Sequence, residues 1–418
     1  MTPRLYERLI TALYPFLYPR LAKKYAEGLG ERRGFYGRPS FPKEAVWVHA
    51  VSVGEVQSAW PVLEGLADAG EKVLLSTTTA TGRETAFQLA DGLFARHIYY
   101  PWDVPRIVRR ALGAVQPKAF ITVETEIWPS MLGELRRRNI PAFLVNGRFS
   151  EKTARQAQKR AVFWKDVYDL FTLLLVRSGE DRRFLVDLGI SEEKIKVTGD
   201  CKIDGLLMRR QRADLAEAKA IAGEGGPVFL AGSTHRGEDE IVLKAFSLVR
   251  RQLPDARLIL APRHPERACE VLPEASAAGR AALLSEVQRG SENGAAWEIL
   301  VIDRVGVLFG LYGVCDAAFI GGSLVDRGGQ NIMEPAAFGL PFCHGPYMRD
   351  FEQAAKELGD RGAATLIKNE AEISAHWIDS LNPPAREKVR NAADSYFALT
   401  AGAARKTVEE ILPLLPVS

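Results

Sequence analysis

Two stretches set carboxylates where an apolar run ends. In WVHAVSVGEVQSA, residues 47–59, Glu55 follows a Ser-Val-Gly turn and opens a helical pattern. In VETEIWPS, residues 123–130, Glu124 and Glu126 close another apolar run. An ionised carboxylate at the mouth of a cleft can take the proton of an attacking hydroxyl. The competing readings are plain: a first-turn Glu complements the helix dipole, and a pair of acids can be a solvated turn.

Other strand ends carry anion-binding chemistry. Lys202 in GDCKID can meet negative charge that develops on a leaving phosphate. Ser233 and Thr234 in AGSTHRGE stand before a helix, where hydroxyls and free N–H groups make an anion site or an ordinary N-cap. Arg263 and His264 in APRHPER follow an apolar strand, and the planar fork of Arg suits phosphate. In FIGGSLVDRGGQNIMEPAAFGLP, residues 319–341, the run Gly321-Gly322-Ser323 lets a backbone approach a ligand. Asn331 and Glu334 follow, and a carboxylate there can accept both hydroxyls of a ribose. Gly28, Gly30 and Gly34 have the wrong spacing for a dinucleotide fingerprint and follow no strand, which disfavours an oxidoreductase.

The elements that position these residues alternate. Apolar runs at Ala45–Val51, Lys72–Ser76, Ala119–Val123, Ala142–Val145 and Leu170–Val176 predict strands in the first half. Val228–Ala231, Arg257–Ala261, Ile299–Ile302, Ala317–Ile320 and Pro341–Cys343 predict strands in the second. Helical patterns separate most of them, which argues α/β architecture with parallel sheets. The 418 residues suit two or three domains. A charge-rich helix, Gly205–Gly226, marks the boundary. The divisions are an N-terminal segment 1–40, domains 41–210 and 211–390, and a helical C-terminal stretch 391–418. Ligands of open parallel sheets bind outside the carboxyl ends of the strands, where the residues above stand.

Composition excludes several classes. Four separated cysteines and six scattered histidines make neither a disulfide scaffold nor a metal cluster. A formal charge of +3 does not suggest a nucleic-acid partner. Residues 1–40 are different, with eight Lys/Arg against three Asp/Glu. There Leu5, Leu9, Leu13, Phe16, Leu17 and Leu21 recur at helical spacing among tyrosines, while Pro15 and Pro19 are expected to kink or interrupt the helix. Such a helix lies on an anionic bilayer surface or packs on the protein's own core.

Taken in order, WVHAVSVGE, VETEIWPS, EDRRF, GST, PRHPER, LYGVCD and GGSLVDRGGQN closely resemble the bacterial 3-deoxy-D-manno-octulosonic acid (Kdo) transferases. The resemblance runs from RRGFYG near residue 32 to beyond GPYMRDF near 351. It implies the GT-B fold: two Rossmann-like parallel-sheet domains facing across a cleft, with an N-terminal amphipathic helix. It implies inverting transfer of Kdo from CMP-Kdo to the lipid A precursor, at the cytoplasmic face of the inner membrane, with no cofactor and no metal. Glu55 matches the family's general base, and Glu124 and Lys202 match positions that stabilise the transition state. Arg263 and His264 match CMP contacts, as do Val305, Gly306 and Val307 and the stretch Asn331–Glu334. Gln330 stands where the family pattern has His, and Asp350 where many relatives have Asn. The alternatives are another GT-B enzyme, a UDP-sugar transferase or epimerase, or a non-catalytic protein that binds sugar nucleotide or lipid A.

Overall fold

A computed structural model describes residues 2–37, 41–290 and 297–416. Met1 and residues 38–40 of the N-terminal segment, and 417–418 of the C-terminal stretch, lie outside the described residues. Two compact α/β units result: Met1–Met208 with Thr400–Ser418, and Arg209–Leu399.

In the first unit the strands are β1 (Val46–His49), β2 (Val73–Thr77), β3 (Arg96–Tyr99), β4 (Ala119–Val123), β5 (Ala142–Gly147), β6 (Leu173–Val176) and β7 (Ile195–Val197). They pair in parallel in the order β3-β2-β1-β4-β5-β6-β7. Alternate residues feed two cores. Trp47, Leu74, Phe120, Leu144 and Leu174 join one, and Val48, Leu75, Ile121, Val145 and Leu175 the other. Burial on both faces explains why these strands read as continuous apolar runs. Helix Val53–Asp68 turns Val56, Ala59, Leu63 and Leu66 onto the second core. The closing helix Ala403–Ile411 joins that core through Val408 and Ile411.

The second unit holds β8 (Val228–Thr234), β9 (Arg257–Pro262), β10 (Ala281–Leu283), β11 (Ile299–Val301), β12 (Ala317–Ile320), β13 (Phe342–His344) and β14 (Ala364–Leu366). These also run parallel, in the order β10-β11-β9-β8-β12-β13-β14. In each sheet the connections from one central pair leave in opposite directions, β1 and β4 in the first and β8 and β12 in the second. A crevice opens at such a point, so the loops after these four strands are the natural ligand loops.

Two local expectations change. The stretch Gly205–Gly226 is not one helix: Cys201–Gln211 and Ala216–Ala222 are separate. The N-terminal helix, Pro3–Lys24, continues through Pro15 and Pro19 without interruption. The two prolines are four residues apart and both exposed, so their rings and missing N–H groups lie on the solvent side.

That helix packs by its tyrosines and leaves Leu5, Leu9, Leu13 and Phe16 outside, while Leu17 and Leu21 are half-buried. Tyr14 is buried against Val104 and Ile107, with Ile10, Tyr18 and Trp102 around it. Tyr6 donates to Asp103 Oδ2 at 3.1 Å. Leu5, Leu9, Leu13 and Phe16 remain 46, 45, 51 and 80% exposed. No helix among the described residues is long and apolar enough to cross a membrane.

Candidate active site

At the winding reversal of the first sheet, four chain segments bring their polar side chains together. Ser52 caps the helix Val53–Asp68, and Glu55 reaches back to it in a capping box. Glu55 Oε2 accepts from Ser52 N at 3.1 Å and from the Ser52 hydroxyl. Oε1 has no partner among the described residues. One oxygen of Glu55 therefore braces the helix start and the other is open.

Glu124 follows β4 in the left-handed region at φ +60, where a side chain other than glycine is strained. Its Oε1 meets Lys202 Nζ at 2.6 Å and Ser58 Oγ at 3.1 Å. Asn146, at the end of β5 with φ +56, ties this pair to the next helix. Its Nδ2 donates to Ser58 Oγ at 3.3 Å and its Oδ1 accepts from Cys201 N at 2.9 Å. Asp200 completes the brace, accepting from Lys202 N at 3.0 Å and from Arg177 at 3.0 Å. The Lys202 ammonium also lies beside Gly54, where an added Cβ would stand 3.9 Å from Nζ. Lys202, Glu124 and the turn bearing Glu55 thus form one cluster. His49, one strand position away, is not part of its acid–base chemistry. It is fully buried, stacks on Tyr100 at 3.7 Å, and burial pushes its pKa down to about 3.

Glu126 is the third acid. Burial first, then the Glu55 and Glu124 charges, push its pKa from 4.5 up to about 7. A raised carboxyl pKa means that the folded state keeps the proton between those values, so this group removes stability as pH rises through that window. Glu126→Gln keeps the neutral shape at every pH. It should match wild type near pH 4.5 and be more stable at pH 8 by about 2 kcal/mol, allowing for partial solvent access. Urea unfolding at the two pH values checks this, and an equal difference at both would refute it.

In the second unit, Ser233 is next to last in β8 at φ +58, and Thr234, which ends the strand, is buried. Their neighbourhood is organised by two acids that the sequence reading passed over. Glu238 is fully buried and accepts four backbone N–H groups. His235 N and Gly322 N reach Oε2 at 2.9 and 2.7 Å, and Ser323 N and Leu324 N reach Oε1 at 2.9 Å each. The amides of Gly322 and Ser323, expected to face a ligand, are therefore spent on an internal carboxylate. The Ser323 hydroxyl is occupied too, donating to Ile320 O and accepting from Gly345 N. Thr234 Oγ1 donates to Asp239 Oδ1 at 2.6 Å, and Asp239 pairs with Arg267. These residues shape the loops rather than offer donors.

Glu238→Gln tests the scaffold. It keeps acceptors for Ser323 and Leu324 but turns an amide N–H₂ toward His235 and Gly322. The loss of charge-assisted bonds should cost about 2 kcal/mol in chemical denaturation. Unchanged stability would contradict the four-donor arrangement.

Other sequence candidates stand as follows. The Arg263 and His264 side chains are exposed and hydrogen-bond to no described residue, although Arg263 N donates to Thr234 O at 3.0 Å. His264 and His235 rings lie 6.3 Å apart, edge to face. Val305 is 81% exposed, Gly306 has φ +98, and Val307 starts the helix Leu308–Tyr312. Asn331 Oδ1 accepts from Met333 N at 3.0 Å, just before the helix Met333–Ala337. Glu334 pairs with Arg209 at 3.3 Å, and burial raises its pKa against that attraction. Gln330 Nε2 lies 3.3 Å from His235 Nε2. The Asp350 carboxylate lies against Gly328, so the left-handed glycine there admits it. Among the described residues no cluster of His, Cys, Asp or Glu is arranged to hold a metal.

Residues 27–205 match the family model described as 3-deoxy-D-manno-octulosonic-acid transferase (kdotransferase). The chain is 30% identical over 400 residues to the 3-deoxy-D-manno-octulosonic acid transferase of Haemophilus influenzae, covering 94% of this chain and 92% of that one. It is 34% identical to the Bordetella pertussis enzyme of that name over 376 residues, 88% of this chain and 86% of that one. Among solved structures, UDP-GlcNAc 2-epimerase from Neisseria meningitidis superposes with a TM-score of 0.60 at 14% identity. That superposition covers 88% of this chain and 100% of the epimerase, and it is a likeness of fold.

Proposed function

The chain belongs to the 3-deoxy-D-manno-octulosonic acid (Kdo) transferase family, and on that premise we propose how its own residues carry out Kdo transfer from CMP-Kdo to the lipid A precursor lipid IVA in lipopolysaccharide biosynthesis. Glu55 Oε1 takes the proton of the acceptor hydroxyl. The hydroxyl oxygen forms the new bond to the anomeric carbon as the bond to the CMP phosphate breaks, and CMP leaves with the electron pair. Attack opposite the leaving group inverts the centre. Lys202, held by Glu124, supplies positive charge where negative charge develops. In the second unit the free side chains of Arg263 and His264 hold CMP, with Ser233, Val305–Val307 and the Asn331–Glu334 turn around it. Fixed cations do the electrostatic task that a metal does in other transferases, so turnover persists in EDTA.

The observation that carries this reading is the 2.6 Å Lys202–Glu124 pair beside the Glu55 turn, at the winding reversal of the sheet. The open Oε1 of Glu55 completes it. A lipid acceptor also gives the N-terminal helix a purpose. Its exposed row of Leu5, Leu9, Leu13 and Phe16, flanked by Arg4, Arg8, Arg20, Lys23 and Lys24, suits the anionic cytoplasmic face of the inner membrane, where the protein sits peripherally.

The test is to incubate the purified protein with CMP-Kdo made in situ and a tetraacyl lipid A precursor, in EDTA, and weigh the product. A gain of one or more Kdo units is expected, with CMP but not UDP bound to the free protein. CMP binding without mass gain would leave a binding role or another acceptor. Binding of UDP in place of CMP would favour the epimerase-like alternative.

A further inference from the structure

Beside the N-terminal helix the first unit holds a cavity of about 390 Å³. Its wall gathers three guanidinium groups, Arg33, Arg106 and Arg110, with the rings of Tyr14, Tyr18 and Phe35. We propose that this cavity binds the phosphate monoester headgroup of a membrane lipid, a reading that rests on the bilayer placement of the N-terminal helix given above.

The cavity is built from three elements locked together. Arg106 and Arg110 are one turn apart on the helix Pro105–Val115, Arg33 and Phe35 sit on the turn beyond the helix Leu29–Arg32, and the tyrosines come from Pro3–Lys24. Gly34 closes the turn onto the helix. It has φ +77, and a Cβ there would meet Ile107 O at 3.0 Å and Ala111 N at 3.3 Å. Arg110 donates to Arg33 O at 2.9 Å. Each guanidinium is laid on a ring: Arg110 on Phe35 at 4.0 Å, Arg106 on Tyr14 at 5.2 Å and Arg33 on Tyr18 at 5.4 Å. These contacts orient the charges without neutralising them. No carboxylate among the described residues pairs with any of the three.

Three rigid like charges round one space repel each other until an anion joins them. Guanidinium forks fit phosphate oxygens in pairs. A phosphate monoester carries about −1.5 to −2 at pH 7 and offers three terminal oxygens, so it gains more here than a diester of single charge. The helix that supplies Tyr14 and Tyr18 also exposes Leu9, Leu13 and Phe16, which directs the choice to a lipid rather than a free anion. The first turn of Pro105–Val115 follows β3, so the cavity lies at the carboxyl edge of the sheet, the edge that carries Glu55, Glu124 and Lys202.

The experiment is vesicle sedimentation of the full chain. It uses phosphatidylcholine vesicles carrying phosphatidic acid, a monoester, or phosphatidylglycerol, a diester, at equal surface charge and ionic strength. Wild type should bind the monoester vesicles about tenfold more tightly, the effect of one charge-assisted hydrogen bond. Arg106→Ala/Arg110→Ala should bind both as wild type binds the diester, with circular dichroism showing that the variant is folded. Equal binding of both lipids by wild type, or a preference kept by the double variant, overturns the proposal. Loss of that preference in millimolar inorganic phosphate would mark a free-phosphate site and overturn the lipid assignment. Leu13→Ser/Phe16→Ser tests the bilayer placement separately and should lower binding to both vesicles together. If wild type ignores every vesicle, the placement fails. Dihexanoyl phosphatidic acid in solution then decides the cavity: Arg106- and Arg110-dependent binding sustains it, and no binding overturns it.

Discussion

Glu55→Gln lowers kcat about 10²–10⁴-fold, the range that a positioned general base contributes, while CMP affinity and melting temperature stay near wild type. The geometry makes this substitution unusually informative. Glu55 Oε2 serves the helix cap by accepting from Ser52 N and the Ser52 hydroxyl. A glutamine oxygen can accept both, and Gln is a normal capping-box partner. What glutamine cannot do is take up a proton at the second position. If Glu55 were only a cap, the substitution would leave the rate unchanged. If it were only a base, Glu55→Ala would not disturb folding, whereas loss of the box should lower stability by about 1 kcal/mol. Single-turnover kinetics with CMP-Kdo, alongside thermal melts of both variants, separate the roles. A Glu55→Gln enzyme within threefold of wild type would move the base elsewhere, with Glu126 the first alternative, since a pKa of about 7 lets it both accept and release a proton near neutral pH.

The central strands were legible because two-sided burial writes itself as an apolar run. β1, β2, β4, β5, β6, β8, β9, β11, β12 and β13 all fall within or beside such runs. The four strands without one, β3, β7, β10 and β14, are the two edges of each sheet. An edge strand has one ladder partner and more solvent, so Arg96, Lys196 and Thr365 are tolerated in it and the pattern fades. The N-terminal helix was legible as a period but not as an orientation. Both its leucines and its tyrosines repeat at helical spacing, and only the partners Trp102 and Asp103, far along the chain, decide that the tyrosines go in.

The candidate site shows the same limit. Side chains at strand ends could be named from the sequence, because topology sends ligands there. Which of their polar groups remain free could not, because that depends on acids buried elsewhere. Glu238 takes the Gly322 and Ser323 amides, and Asp239 takes the Thr234 hydroxyl. The available signal was the acid pair itself, two carboxylates in the first turn after an STHRG loop. Ser58 and Asn146 were missed for a related reason. Each is an ordinary polar residue until folding brings it to Glu124, although an Asn-Gly pair that ends an apolar run does mark a special backbone position.

Lys202→Met should lower kcat about 10²–10³-fold, as loss of one preorganised electrostatic donor does, and should also destabilise the fold. The second effect comes from Glu124, 15% exposed and paired with Lys202 at 2.6 Å. Removing the ammonium leaves that carboxylate half-desolvated beside Glu126, with only the Ser58 hydroxyl to receive it. The penalty should be about 1–3 kcal/mol, that of a buried polar group which loses its partner. The two effects come apart in the double variant Lys202→Met/Glu124→Gln. Neutralising Glu124 removes the stranded charge, so stability returns toward wild type, while the rate stays low because no cation faces the reaction. If the double variant recovers the rate as well, Lys202 merely neutralises Glu124 and has no part in the chemistry. If Lys202→Met loses stability but keeps its rate, the pair is a structural brace alone. Lys202→Arg refines the point: it keeps the charge but replaces a compact ammonium with a planar fork beside Gly54. The pair should survive, with stability near wild type, while the displaced charge leaves a rate still reduced.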